Sequence, residues 1–253
     1  MPKALLNKIL WAFAALFVIM GASYGNKKVK LATINQVQVN IAPTQQGNFI
    51  SETDITDRIN AFYTPSLLEQ KTKDIDILQL DSIVESSPFV KSANSFSSLN
   101  GKLFVEIEQE LPLIRIHSSK VKGYYISYEG KKLPLSMHKA ARVPVVTGNI
   151  TETITPDDTL KTQLIKDLYS IALYLDKNAF FKALTGQLHV ENNGDIVLIT
   201  KSEERHDIIL GNAQNLESKF DNLYQFYTKV LSIKGWDRYR TINLKFKNQI
   251  VAK

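Results

Sequence analysis

The chain has 253 residues, of which 44% are hydrophobic and 22% charged, and its formal net charge is +6 at pH 7. The absence of cysteine excludes a disulfide framework, a catalytic thiolate and cysteine-based metal sites. Basic and acidic residues alternate along the chain, so the positive charge forms no stripe of the kind that binds nucleic acid. We interpret the excess as favouring solubility and some attraction to anionic lipid.

An uncharged apolar run at residues 9–24 lies near the N-terminus, with lysines on both sides. A helix that spans a bilayer needs roughly 17–25 mainly apolar residues. The run therefore predicts a transmembrane helix over residues 9–25, after a cytoplasmic tail over residues 1–8. The alternative is a cleaved signal peptide, with the small residues Gly21, Ala22 and Ser23 near the cleavage site. The lysines are too evenly distributed to fix the orientation, but they allow an exported C-terminal bulk.

Residues 31–111 carry the pattern of a small α+β domain. Alternation predicts a strand over residues 33–41, and Ser51 is placed to cap the helix that follows. A second helix ends before Pro88, because the residue before a proline avoids the α region. Two strands then flank Asn100-Gly101, the favoured pair for a type I′ turn with two positive φ angles. We expect two helices packed on one face of a three-stranded sheet.

Residues 112–253 predict a mainly antiparallel β domain with helices packed against it. Hairpin turns are expected at Glu129-Gly130 and Asn193-Gly194. One helix is predicted over residues 160–177, with Asp157 and Asp158 as its cap, and a second around residues 216–227. Strands are predicted around residues 113–116, 124–128, 131–135, 143–148, 188–191, 196–200, 206–210 and 241–246.

The sequence offers few candidates for chemistry. Three glutamates after the Asn-Gly turn recur at every second position, which is typical of one solvated strand face and not of a catalytic pair: Glu106, Glu108 and Glu110. The histidines lack the spacing of a metal site or general base, and we interpret them as surface or strand residues: His117, His138, His189 and His206. Nucleophile, phosphate-loop and dinucleotide motifs are absent. We therefore predict no catalytic residue, cofactor, metal ion or small-molecule substrate.

Residues 31–111 resemble the POTRA domain, a module of exported bacterial proteins, in the segment after Pro88 and in the hairpin of residues 99–108. Nearly the whole chain resembles the FtsQ/DivIB family of cell division proteins, in a style similar to that of Bacteroidetes members. Four stretches carry this resemblance: the junction at residues 108–112, the YYISYEGKKLPL stretch at residues 124–135, VPVVTG at residues 143–148, and the closing Ile242-Asn243-Leu244-Lys245-Phe246. Family members have Arg-Tyr where this chain has Lys245-Phe246, so a bidentate fork and a hydroxyl are replaced.

The resemblance implies a divisome scaffold without enzymatic activity. It implies an α+β protein with one N-terminal transmembrane helix, a POTRA domain over residues 31–111 and a β domain over residues 112–253. The expected location is the inner membrane, single-pass, with the N-terminus cytoplasmic and both domains periplasmic. The implied partners are FtsB-like and FtsL-like proteins, through which septal peptidoglycan synthesis is controlled. Other divisome proteins are expected at the POTRA domain.

The resemblance also implies a docking strand near the C-terminus. By β-augmentation, an exposed edge strand accepts a partner strand through backbone hydrogen bonds. Residues 241–251 lack proline and alternate lysine with apolar residues, which fits an edge strand that is charged and can still pair with a partner strand. The predicted partner-binding residues are Thr241, Ile242, Asn243, Leu244, Lys245, Phe246, Lys247 and Asn248. The alternative function is that of a POTRA-bearing envelope protein of outer-membrane assembly or secretion.

Overall fold

The computed structural model describes residues 10–20, 32–64, 66–68, 70–155, 159–202, 204–247 and 249–253. The chain forms two compact units, residues 1–109 and 110–253. Residues 10–20 are helical, with exposed side chains. Within the described ranges, no helix has both the length and the apolar character needed to cross a bilayer. The predicted tail and both ends of the predicted span lie outside the described residues.

Beyond residue 31, the described part of the first unit contains a three-stranded sheet and two α-helices. Its elements are β1 (Gln36–Ile41), α1 (Glu52–Phe62), a 3₁₀ turn (Thr72–Asp74), α2 (Ile77–Glu85), β2 (Val90–Ser97) and β3 (Lys102–Gln109). The strand order is β1-β3-β2, with β1 parallel and β2 antiparallel to β3. Alternate β3 residues and one face of each helix supply the core: Leu103, Val105, Ile107, Ile55, Ile59, Leu80 and Val84. The predicted α+β arrangement is confirmed.

The helix start predicted at Ser51 is confirmed as a reciprocal capping box. The Asp54 amide donates to Ser51 Oγ at 3.1 Å, and the Ser51 amide donates to Asp54 Oδ2 at 2.9 Å. Two amides that lack partners inside the helix are thereby satisfied. At the next helix Asp76 accepts from the amides of Leu78 and Gln79 at 3.0 and 3.1 Å. Local sequence therefore sets where both helices begin.

A turn occurs at Asn100-Gly101 as predicted, but the prediction that it is of type I′ is wrong. Gly101 has φ +80°, but Asn100 is not among the described residues with positive φ. The Gly101 amide donates to the Ser98 carbonyl at 3.2 Å, so the glycine occupies the fourth turn position. The same bond and a positive φ recur at Gly130 and Gly194. These three hairpins thus share a turn that ends in a left-handed glycine, which is typical of a type I turn with a glycine bulge.

The second unit contains one nine-stranded sheet in its described residues, in the order β12-β11-β10-β9-β8-β7-β4-β5-β6. The strands are β4 (Pro112–Ser118), β5 (Val121–Ser127), β6 (Lys132–Leu133), β7 (Val145–Gly148), β8 (Thr185–Val190), β9 (Ile196–Thr200), β10 (Asp207–Gly211), β11 (Thr241–Asn243) and β12 (Val251–Ala252). Pairing is antiparallel except for the parallel pairs β4/β7, β7/β8 and β10/β11. The sheet is therefore mainly antiparallel, as predicted.

Helices cover one face of this sheet. They are α3 (Gln163–Lys177), α4 (Ala179–Leu184), α5 (Leu216–Gln225), a π-helical segment (Phe226–Leu231) and α6 (Ser232–Lys234). The apolar stripe predicted for α3 is buried, and so is that of α5: Ile165, Leu168, Ala172, Leu175, Phe220 and Leu223. Helix α4, which the sequence did not predict, is capped by Asn178 through the amides of Phe180 and Phe181. Asp157 and Asp158 lie outside the described residues.

A buried ion pair holds the segment before α3. Lys132 Nζ lies 2.7 Å from Glu152 Oε1, and the two side chains are 0% and 7% exposed. The Glu152 carboxylate also accepts from the amides of Lys161 at 2.9 Å and Thr162 at 2.7 Å. Burial raises the pKa of Glu152, but these bonds outweigh it and lower the pKa to about 2. The pair ties β6 to the start of the helix.

The glutamate row after the first hairpin does not form a single solvated face. Glu106 and Glu108 are exposed, as predicted, and Lys91 Nζ lies 2.9 Å from Glu108. Glu110 is fully buried, with Lys131 Nζ 3.5 Å from its carboxylate. The prediction is wrong for Glu110 because β3 ends at Gln109, so the alternation does not continue to the next glutamate.

Candidate partner-binding edge

The structure places the predicted docking segment differently from the sequence. Residues 241–251 do not form one strand, since β11 covers only Thr241, Ile242 and Asn243. The strand β11 also lies between β10 and β12, so it is not an edge strand. The chain instead turns back and adds β12 outside β11. The prediction of a continuous edge strand is therefore wrong, and Asn248 lies outside the described residues.

Side-chain bonds explain why β11 stops after Asn243. The Leu244 amide makes the last bond to β10, donating to the Ile209 carbonyl at 2.9 Å. The Lys245 amide then donates to Asn243 Oδ1 at 2.9 Å, a local turn that competes with strand pairing. Gly211 leaves room for the side chain of Lys245, because a Cβ there would lie 3.0 Å from Lys245 Cγ. The bond from the Lys245 amide to Asn243 therefore marks the end of the strand.

The outer edge of the sheet belongs to β12. The Thr241 and Lys253 backbones exchange two hydrogen bonds of 3.0 Å, and Ala252 lies opposite Ile242. In an antiparallel pair, alternate residues direct their amide and carbonyl toward and away from the partner strand. The backbone groups of Ala252 therefore point away from β11. Sequence reasoning missed Ala252 and Lys253, although β-branched Ile250 and Val251 were a signal for a further strand.

The side chains of the predicted segment divide between core and surface. Ile242 and Leu244 are 0% and 3% exposed, whereas Phe246 is 53% exposed. Alternation had placed all three on one face, but the chain has left the strand before Phe246. The ring of Phe246 is consequently available to a partner and is not part of the core.

Lysines give this edge a positive rim. A depression of about 320 Å³ is lined by the loop after β11 and by α5, and Lys219, Lys245 and Lys247 contribute to it. Lys245 Nζ lies 2.6 Å from Asp195 Oδ2. Lys219 Nζ donates to the Leu210 carbonyl at 2.7 Å, and burial lowers its pKa. The arrangement provides backbone pairing and cationic contacts, and no metal-binding cluster occurs in the part of the chain that the structure describes.

These features define a two-domain protein with a POTRA-like domain ahead of a β domain. Residues 32–108 match the model of the POTRA-like domain. Residues 111–253, more than half of the chain, match the family model described as FtsQ/DivIB, C-terminal related. The chain belongs to the FtsQ/DivIB family, which confirms the resemblance read from its motifs. Proteins of this family are, in general, membrane-anchored scaffolds of cell division. No curated protein matches the chain.

Proposed function

We propose that the chain is a divisome scaffold that binds FtsB-like and FtsL-like proteins at β12 and the exposed residues 245–247 of the loop before it. The observation that carries this proposal is the outward-facing backbone of Ala252 on the terminal strand of the sheet. An incoming strand gains hydrogen bonds there without displacing a strand of the protein. Through these partners the protein regulates septal peptidoglycan synthesis, without catalytic turnover of its own.

Six of the eight predicted partner-binding residues have one of two roles in this proposal, since Leu244 is buried and Asn248 lies outside the described residues. Thr241, Ile242 and Asn243 hold β12 in place by pairing with it. Lys245, Phe246 and Lys247 are exposed and contact the partner directly. An aromatic ring beside cations favours a partner strand that combines apolar and acidic side chains.

Proline at Ala252 provides the sharpest test of the edge. The amide of Ala252 points outward, so Ala252→Pro removes a donor to the partner without removing a bond inside the sheet. Ala252→Val, which keeps the amide, is the matched control. We expect proline to weaken partner binding about tenfold or more, and valine to leave it near the parent value. A folded proline variant of the full chain that binds the partner with the parent affinity would show that the partner docks elsewhere.

The proposal includes a membrane anchor over residues 9–25, with the N-terminus cytoplasmic and both units periplasmic. The uncharged apolar run near the N-terminus and the family membership support it. Protease added to spheroplasts should digest the chain beyond about residue 30 while sparing cytoplasmic proteins. Protection of residues 112–253 would reject this topology, and a mature N-terminus near Tyr24 would support a cleaved signal peptide instead.

A further inference from the structure

A polar cleft of about 740 Å³ lies at the carboxyl ends of the parallel strands β4, β7 and β8. From β4 the chain continues to β5 and β6 on one side, whereas from β7 it continues to β8 and β9 on the other. The boundary between β4 and β7 is therefore a topological switch point. In open α/β sheets, ligands bind in the crevice at such a point, outside the carboxyl ends of the strands.

Two histidines that are distant in sequence are brought to this cleft. His117, Thr147 and His189 lie on adjacent strands and line the cleft together. Their strand neighbours Ile116, Val146 and Leu188 are buried in the core, so these three side chains project from the opposite face. Thr147 is in register with His189, and its Oγ1 lies 2.9 Å from Nδ1 of that ring. This contact orients the imidazole and leaves Nε2 available to a ligand.

A lysine adds positive charge at the same place. Lys120 Nζ donates to Asn149 Oδ1 at 2.6 Å, and Asn149 Nδ2 donates to the Asn192 carbonyl at 3.4 Å. No carboxylate among the described residues lies within ion-pair distance of Lys120, so none of them neutralises its charge. Glu191 is the one acidic residue in the described lining, which contains no Phe, Tyr or Trp ring on which a neutral sugar could stack.

We propose that this cleft binds an oxyanion, a phosphate or carboxylate group carried by a polar ligand. Lys120 neutralises the anion, while His117 and the Nε2 atom of His189 form hydrogen bonds to its oxygens. Thr147 is a positioning residue that holds the ring of His189. The site involves β4, β7 and β8 and not β11 or β12. A negative result for anion binding would therefore leave the proposed partner edge untested, and the reverse also holds.

Histidine-selective NMR on the purified full chain tests the proposal with internal controls. The sequence contains four histidines, so histidine labelled with ¹³C at ring atom Cε1 yields four imidazole signals. Inorganic phosphate and acetate are titrated separately, to distinguish phosphate from carboxylate ligands. We expect saturable shifts of the His117 and His189 signals with at least one anion. His138 does not line the cleft, and both ring nitrogens of His206 are bonded, to Tyr227 Oη and to the Trp236 carbonyl, so their signals should stay in place.

The lysine is tested by Lys120→Gln, with Lys122→Gln on β5 as the matched control outside the cleft. Loss of a charge-assisted hydrogen bond should weaken anion binding by about tenfold in the first variant and leave it unchanged in the second. An unshifted His206 signal in each variant reports an intact fold. Equal affinities in the two folded variants would overturn the proposal, as would absence of saturation with both anions or parallel movement of all four signals.

Discussion

Thr241 and Lys253 exchange two backbone hydrogen bonds at the open end of the hairpin formed by β11 and β12. This pairing satisfies the outer side of β11, so a partner strand meets β12 first. It also means that proline substitutions at different positions of this hairpin test different properties. A proline at Asn243 would disrupt an interior strand and lower stability, whereas a proline at Ala252 affects the free edge.

Replacing Phe246 or Leu244 by alanine should separate docking from stability. Phe246→Ala should reduce partner affinity by about 1–3 kcal/mol, because an exposed aromatic ring is a typical interface anchor, while the melting temperature stays near the parent value. Leu244→Ala should instead destabilise the fold by about 2–5 kcal/mol, since that side chain is buried. Calorimetry and a binding titration on the same samples check both results. A large fall in melting temperature for Phe246→Ala would contradict the surface assignment.

Charge reversal at Lys247 should slow association with an acidic partner. Lys247 is exposed, and Lys247→Glu turns attraction into repulsion during encounter, so the association rate falls by about tenfold at low salt and less at high salt. Lys245→Glu should act in the same direction and also place a like charge beside Asp195. Stopped-flow mixing at several salt concentrations measures the effect, with Lys122→Glu as control. An association rate that does not change with salt concentration would argue against an acidic partner.

The buried pair of Lys132 and Glu152 should make the free energy of unfolding depend on pH in the acid range. The pKa of Glu152 is lowered from its ordinary 4.5 to about 2, so its contribution is fully present above pH 4.5 and is lost as pH falls toward 2. Glu152→Gln should lack this part of the acid dependence and cost about 3 kcal/mol at neutral pH, because Lys132 stays buried without its partner. Urea unfolding across this pH range provides the measurement. The double variant Lys132→Met with Glu152→Leu should be less destabilised than Glu152→Gln.

Two glycines with positive φ should respond differently to alanine. Gly148 has φ +99°, and a Cβ there would lie 2.1 Å from the Val190 carbonyl oxygen. Gly194 has φ +87°, but no atom lies within 4 Å of its added Cβ. Gly194→Ala should therefore cost about 1 kcal/mol from backbone strain alone, and Gly148→Ala several times more. Thermal unfolding of both variants checks this order. Equal losses of stability would contradict it, because they would show that the backbone near Gly148 shifts at little cost to accommodate the Cβ.

Local chemistry explains the elements that were predicted well. Ser51 with Asp54 forms the expected cap, and the spacing of Ile165, Leu168 and Leu175 sets the buried face of α3. The predicted turns occur at the expected glycines, although their type depends on the bonds made by neighbouring residues. Helix α4 was missed because six residues offer too little periodicity to distinguish a helix from a connection.

The candidate sites depended on long-range pairing. The alternating run from Thr241 looks like one strand, and only its placement beside β10, with the Asn243 turn, shows that it ends after three residues. His117 and His189 have no local spacing that links them. They share a cleft because β7 pairs in parallel with both of their strands.

Residue patterns along the chain were enough to identify the family and most buried faces of the helices, because capping, periodicity and the closing motif act over a few residues. Which strand forms the sheet edge, the exposure of Phe246 and the meeting of two histidines became evident only in the folded protein. Those outcomes depend on strand order and register, which are set by burial across the whole second unit, and no short segment carries that information.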